Sequence, residues 1–151
     1  MLASSLALLA VFTTKIQRDM ITDEVTYVAA LDAGQGRSLV VACGAQTGGR
    51  QLINFRPGDT LSDRRGGILL PFYNRVRFDA DPAIEMIVAY KNDTIMIQGT
   101  EAVTFTKRLQ SASRVTFEYT NYRGQVQQMS LDLDATDESI PWIVTQCVAK
   151  K

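Results

Sequence analysis

Short stretches in which hydrophobic and polar residues alternate make up most of this chain after residue 20. The clearest covers residues 115–119, where Val115, Phe117 and Tyr119 alternate with two polar residues. A period of two places one set of side chains in a core and the other in solvent, which is typical of a β-strand. The same pattern, or a short apolar run, predicts further strands at 25–31, 38–43, 51–55, 68–72, 75–79, 85–90, 94–98 and 126–133.

Turn residues separate these strands. The segment Asp32–Gly36 contains two glycines, which supply the positive φ angles that tight turns need. The stretch 38–43 is apolar on both faces, so we expect it in the centre of the sheet. Pro71 cannot donate to a strand ladder and predicts an edge or a bend. The long polar segment 56–67 predicts a surface loop.

Two short helices interrupt the β pattern. The first is predicted to begin at Thr100, a residue type that caps helix N-termini, and to end near Ser111. The second follows Asp137, and its apolar residues recur at the helical spacing through Ile143 and Cys147. Cys147 is therefore expected to point at the core.

The complete pattern predicts a mainly β fold, either a β-sandwich or a rolled antiparallel sheet, with two short helices. Many short strands with frequent turns are typical of such folds rather than of parallel α/β folds. The chain has 151 residues, which is the size of one ordinary domain. We expect a single β-rich domain at 21–151, preceded by an apolar N-terminal segment at 1–20.

The segment Met1–Phe12 is apolar and rich in small residues. It resembles the hydrophobic region of a secretory signal, which favours export to the periplasm or beyond. The alternative is an apolar helix or strand docked on the domain, in a cytoplasmic or virion-associated protein. The segment is shorter than the roughly 20 residues that a membrane span needs. Membrane contact is expected only through residues 1–12, if they are not cleaved.

The two cysteines, Cys43 and Cys147, are 104 positions apart. Both are expected to face the core, so a disulfide between the central strand and the last helix is our leading interpretation. Two buried free thiols and a redox pair are the alternatives. A structural disulfide would itself favour an oxidising compartment.

Composition excludes several function classes. The 16 basic and 16 acidic residues cancel, whereas a dedicated nucleic-acid binder usually carries a strong basic excess. The chain has no histidine, so no Ser-His-Asp or Cys-His arrangement and no histidine-ligated metal site can form within it. Phosphate-binding glycine motifs are absent from the sequence as well. We therefore predict a non-enzymatic protein without a metal or another cofactor.

Two groups of carboxylates are candidate chemical sites. The acidic residues between Asp132 and Glu138 lack the spacing and the glycine of a calcium loop, so a solvated turn before a helix is the better interpretation. Asp79 and Asp81 are a conceivable glycosidase pair. We interpret them as the charged end of a strand.

Basic and aromatic residues cluster around the predicted strand 75–79. Arginine forks suit carboxylate or phosphate partners, and arginine and tyrosine are frequent in binding hot spots. The alternative is the ordinary exposed face of a strand. The candidate partner-binding residues are Arg64, Arg65, Phe72, Tyr73, Arg75 and Arg77. Trp142, the single tryptophan, is expected to pack between the last helix and the sheet.

The order of these features resembles a family of small periplasmic or secreted bacterial proteins that includes type VI secretion-associated accessory proteins. That resemblance implies a β-sandwich, a disulfide and no known catalytic residues. The segments that carry it are Thr22–Glu24, Leu39–Cys43, Arg75–Asp79, Phe105–Ala112, Arg114–Tyr119, Leu131–Leu133 and Ile143–Cys147.

The function that the sequence favours is therefore binding of another protein in the bacterial cell envelope, in one form as a secretion-system accessory. Two alternatives remain open. The chain could be a structural subunit of a larger assembly such as a phage particle, or an inhibitor of a cell-wall hydrolase that uses the 56–67 loop. The sequence does not identify the partner.

Overall fold

The computed structural model describes residues 11–61, 69–134 and 137–148. Within these residues nine strands and two α-helices follow one another along the chain. The strands are β1 (Phe12–Arg18), β2 (Val25–Gly34), β3 (Arg37–Gly44), β4 (Leu52–Pro57), β5 (Leu69–Phe78), β6 (Ile84–Lys91), β7 (Thr94–Gln98), β8 (Arg114–Thr120) and β9 (Val126–Asp132). The helices are α1 (Gly99–Leu109) and α2 (Ser139–Val148), and a short 3₁₀ turn at Ala45–Thr47 follows β3.

All nine strands belong to one sheet with the order β1-β2-β3-β4-β7-β6-β5-β8-β9, and every neighbouring pair is antiparallel. The predicted mainly β fold with two short helices is confirmed. The predicted central position of the 38–43 strand is also confirmed, because β3 pairs with β2 on one side and with β4 on the other.

The sheet is rolled but not closed. Phe55 in β4 and Phe117 in β8 stack face to face, with ring centroids 3.8 Å apart, although β7, β6 and β5 lie between their strands in the sheet. Such a contact requires the sheet to curl so that its two halves face each other across a core. The two ends of the sheet, β1 and β9, do not pair with each other.

Helix α1 covers part of this core. Ala102, Phe105 and Leu109 lie on one face of the helix and are almost completely buried. The ring of Phe105 contacts Phe78 edge-on at 5.2 Å and Phe117 at 5.5 Å. The predicted apolar face is thus confirmed. The predicted N-cap at Thr100 is wrong, because the helix begins at Gly99 and its N-cap is Gln98, two residues earlier.

Helix α2 ties the C-terminal region to β1, β2 and β3. Cys147 is bonded to Cys43 of β3 with a Cα–Cα distance of 5.6 Å, so the predicted disulfide is confirmed. In the chain-entropy model a cross-link over roughly 100 residues contributes about 4–5 kcal/mol by restricting the unfolded state. Trp142 is half-buried and meets Tyr27 of β2 edge-on at 5.9 Å, as expected for a residue between helix and sheet.

Three segments differ from the sequence-based expectation. The chain pairs with β2 from Phe12 onwards, so β1 is a strand that the alternation after residue 20 did not include. The predicted strands 68–72 and 75–79 form one continuous strand, β5. The edge or bend predicted at Pro71 is confirmed, because this part of β5 pairs only with β6 and has a register shift between Leu69 and Phe72. Arg56 and Pro57 of the predicted loop 56–67 belong to β4 instead, residues 58–61 form neither helix nor strand, and residues 62–67 lie outside the described residues.

A buried polar group joins β5, β6 and β8 at the point where β5 separates from β8. The Tyr90 hydroxyl exchanges hydrogen bonds with the Asn74 amide at 3.0 and 3.1 Å and accepts the Thr120 N–H at 3.1 Å. Tyr90 is 1% exposed and Asn74 is 5% exposed. These bonds satisfy polar groups that would otherwise be buried without partners, which is costly.

The stacked pair provides a test of the core. We expect Phe117→Ala to lower the free energy of unfolding by about 3–5 kcal/mol, because the ring is 1% exposed and its removal leaves a cavity beside Phe55 and Phe105. Chemical denaturation measures the change. Tyr122→Ala, at a site 50% exposed, is the control and should change stability by less than about 0.5 kcal/mol. Equal effects of the two substitutions would contradict the assigned core.

Candidate functional site

The candidate binding residues on β5 lie on one exposed face. Tyr73, Arg75 and Arg77 are exposed and alternate with the buried Asn74 and Val76. The remaining candidates cannot be placed with them, since Arg64, Arg65 and the side chain of Phe72 lie outside the described residues.

Arg75 is held in a fixed position. Its Nε donates to Glu118 Oε1 at 2.9 Å and its Nη2 donates to Glu118 Oε2 at 2.7 Å, which makes a bidentate pair between β5 and β8. Gln128 of β9 donates a further hydrogen bond to the same carboxylate at 3.3 Å. The hydrogen bonds from Arg75 hold the pKa of Glu118 below its usual value.

Arg77 and the nearby acidic residues organise the end of β5. Arg77 donates to the carbonyl oxygens of Asp81 and Ala80 at 2.9 and 3.0 Å. Asp79 accepts the backbone N–H groups of Ser113 and Arg114, both at 2.9 Å, and the bond from Ser113 lowers the pKa of its carboxyl group. Both carboxylates of the conceivable glycosidase pair have structural partners, because Asp81 also accepts a bond from an arginine of α1.

An exposed apolar pair lies beside the arginines. Tyr73 on β5 stands directly opposite Ile87 on β6, and the two residues are 63% and 49% exposed. The Ile87 N–H donates to the Glu101 carboxylate of α1 at 2.6 Å, which fixes this part of β6. We call Tyr73, Ile87 and Arg75 the tyrosine–arginine patch.

A shallow polar cavity of about 420 Å³ extends from Arg75 and Arg77 across β8 to β9. Its floor includes Thr116 and Ser130, whose hydroxyl oxygens are 2.7 Å apart. Arginine, hydroxyl and amide groups suit a polar surface of another molecule. Among the charged residues that line the cavity, Arg75 pairs with Glu118, and Arg114 pairs with Asp132 of β9.

Two surface features were not found by sequence analysis. Met20 and Ile21, at the end of the β1–β2 hairpin, are 92% and 94% exposed. Strand β1 is an edge strand, and no described residue pairs as a strand with its outer side. The sequence does contain a signal for the exposed pair: two large apolar residues stand between Asp19 and Thr22, in a turn, where polar residues are usual.

The outward-facing groups of β1 follow from its hydrogen bonds. The Phe12 N–H donates to Asp137, and the Phe12 carbonyl accepts from Ser139, so Phe12 does not bond to β2. At the other end the Asp19 N–H bonds to the Glu24 carbonyl across the hairpin. In an antiparallel pair every second residue bonds to the partner strand. Because residue 19 bonds across the hairpin and residue 12 does not bond to β2, the N–H and C=O groups of residues 14, 16 and 18 point away from β2.

Among the described residues, no three or more cysteine and carboxylate side chains are grouped so that they could hold a metal ion. None of the helices in the described ranges has the length and apolar character needed to cross a bilayer.

Comparison of this chain with known protein families, with curated proteins and with solved structures finds no match.

The Arg75–Glu118 pair makes a prediction about pH. Because the native pKa of Glu118 is lowered, its pairing stabilises the fold above the unfolded pKa and is lost as the pH falls through the native pKa. Carboxyl ¹³C NMR should show Glu118 titrating below an ordinary glutamate. Arg75→Gln should raise that titration midpoint. Arg18→Gln should not, because Arg18 pairs with Asp23 instead of Glu118. An unchanged midpoint in Arg75→Gln would show that the pair does not form in solution.

Proposed function

We propose that this chain is an exported, non-enzymatic domain that binds another protein in the bacterial cell envelope. The observation that carries the proposal is the tyrosine–arginine patch, in which Tyr73 and Ile87 are solvent-exposed beside a fixed Arg75. The resemblance to type VI secretion-associated accessory proteins makes a secretion-system accessory the specific form of this proposal.

The patch combines the properties of a binding hot spot. Tyrosine and arginine are enriched among residues that dominate binding energy. Glu118 fixes the Arg75 fork, and strand pairing fixes the backbone at Tyr73 and Ile87, so the patch loses less conformational freedom on binding than a flexible loop would. The side chain of Arg75 is 62% exposed, so it still offers surface to a partner beside Tyr73 and Ile87.

Export and the lack of catalysis are supported by chemistry. The Cys43–Cys147 disulfide favours an oxidising compartment, because cytosolic thiols are normally kept reduced. The disulfide also occupies both thiols as nucleophiles. A chain without histidine lacks the commonest general base near neutral pH.

Substitution within the patch tests the proposal. We expect Tyr73→Ser combined with Ile87→Ser to reduce capture of a specific envelope protein by about tenfold or more, because both apolar contacts are lost. Capture is measured with the immobilised, oxidised domain and quantitative mass spectrometry. The control is Tyr122→Ser, which removes a tyrosine of 50% exposure on the turn after β8.

Two outcomes would reject this proposal. Equal capture by the patch variant and by the wild-type domain would exclude the patch as the binding surface. Turnover of cell-wall, glycan or peptide substrates by the purified domain would show that it is an enzyme. Thermal denaturation of each variant verifies that the patch substitutions leave the fold intact.

A subunit of a larger assembly is a second candidate function, favoured by the free edge of β1. Groups of an unpaired edge can bond to a strand of a neighbouring molecule. Lys15 lies on this strand, and lysines on edges oppose such pairing in many proteins. Assembly through this edge would therefore have to accommodate the positive charge of Lys15.

Proline substitution distinguishes the two candidates. Thr14→Pro removes an outward N–H and should abolish edge-to-edge assembly while leaving the pairing of β1 with β2 intact. Lys15→Pro is the matched control, since it removes an N–H that bonds to β2 and should destabilise the hairpin. Sedimentation velocity over a concentration series measures assembly. A wild-type domain that stays monomeric throughout would reject the subunit function.

A further inference from the structure

The hairpin tip, residues 19–24 between β1 and β2, presents two large apolar side chains to solvent. Met20 is 92% exposed and Ile21 is 94% exposed, whereas the other large apolar side chains that are exposed in the described part of the chain reach at most 63%. Single exposed apolar residues are ordinary, whereas contiguous exposed apolar surface marks interaction sites, and Met20 and Ile21 are adjacent in the turn. The tyrosine–arginine patch does not include them.

The hairpin tip is ordered by its own hydrogen bonds. Asp19 Oδ1 accepts the N–H groups of Ile21 and Thr22 at 2.7 and 3.0 Å, and these bonds lower the pKa of its carboxyl group. The Asp19 carbonyl accepts the Asp23 N–H at 2.9 Å, and the Asp19 N–H bonds to the Glu24 carbonyl at 2.8 Å. These four hydrogen bonds to Asp19 fix the backbone of the turn that carries Met20 and Ile21. A loop ordered in advance loses less entropy when it binds.

The charges around the tip identify the kind of partner. Three carboxylates, those of Asp19, Asp23 and Glu24, lie next to the apolar pair, and Asp23 forms a 3.8 Å ion pair with Arg18. Anionic lipid headgroups would repel these carboxylates, since membrane surfaces attract basic rather than acidic segments. Basic side chains on a protein would attract them and would also guide the encounter.

We propose that the hairpin tip is an anchor that inserts Met20 and Ile21 into an apolar pocket of a second, different protein, and that lysine or arginine side chains rim this pocket. Met20 supplies an unbranched side chain that adapts to the pocket shape. The carboxylates of Asp23 and Glu24 then face the basic rim. This anchor extends the proposed protein-binding function to a second surface, and separate variants distinguish the two.

Site-specific photocrosslinking tests the anchor. A photoreactive phenylalanine is placed at Ile21 in the full chain in its native cells, and at Val126 as the control, a residue of β9 that is 63% exposed. We expect one dominant crosslinked protein from position 21. The control at position 126 should not crosslink to that protein. The crosslinked segment of that protein should border an apolar pocket with basic neighbours.

The protein identified by crosslinking is then purified, and its binding to the wild-type chain and to variants is measured. The double substitution Met20→Ser, Ile21→Ser should raise the dissociation constant by about 30-fold or more, as expected for loss of a hot spot. Asp23→Asn with Glu24→Gln should slow association and reduce its dependence on salt. The Tyr73→Ser, Ile87→Ser variant should still form the position-21 crosslink, so failure of the patch and failure of the tip are separate results.

Several outcomes would overturn the anchor. Binding of the wild-type chain, but not of the Met20→Ser, Ile21→Ser variant, to phosphatidylglycerol or phosphatidylcholine vesicles would identify a membrane site. Crosslinks from position 21 to a second copy would identify self-association, for which the cavity near Val40, with Arg37 and Arg56, is the acceptor to examine. The absence of a dominant product at position 21 would show that the tip binds no protein.

Discussion

The stack of Phe55 on Phe117 is the contact on which this fold depends, because it joins the two halves of a single sheet. Pairing between neighbouring strands is local and would equally well produce an open, twisted sheet with one face in water. Only contacts across the interior require the sheet to roll. Phe105 adds α1 to the same aromatic group, so the helix fills the concave side that rolling creates. Disruption of this group would therefore affect the curvature of the sheet as well as local packing.

Rolling also determines which surfaces remain for binding. The inner faces of the strands are occupied by the core, and α2 covers β1, β2 and β3 near the disulfide. Among the described residues, the outward side chains of β5, the hairpin tip and the outer edge of β1 beyond Phe12 remain exposed to solvent. The patch lies on rigid strands, whereas the tip is a turn ordered by Asp19. Two differently built surfaces at separate places in the sheet order are compatible with a domain that contacts more than one neighbour.

Sequence patterns predicted the parts of the structure that depend on local periodicity. Val115, Phe117 and Tyr119 face the core as their alternation requires, and the apolar face of α1 follows from helical spacing. The order of the strands was not predictable in this way, since β7, β6 and β5 enter the sheet in reverse through contacts distant in sequence. For the same reason the arginine at position 75 was identified as a candidate, but its partner Glu118, 43 residues away, was not. The exposure of Met20 and Ile21 depends on where the hairpin points, which no local pattern specifies.

The bond between Cys43 and Cys147 also has a consequence for proteolysis. A protease that cuts the chain once between these two residues leaves both fragments covalently joined, and most of the sheet continues to pair across the cut. Such a nicked molecule would migrate as one chain until a reductant is added. The bond joins positions 104 apart in the sequence, and the loop that it closes includes the whole tyrosine–arginine patch, whereas the hairpin tip lies outside this loop. A cut in the β1–β2 hairpin would therefore separate β1 from the covalent unit, and only hydrogen bonds and packing would retain it.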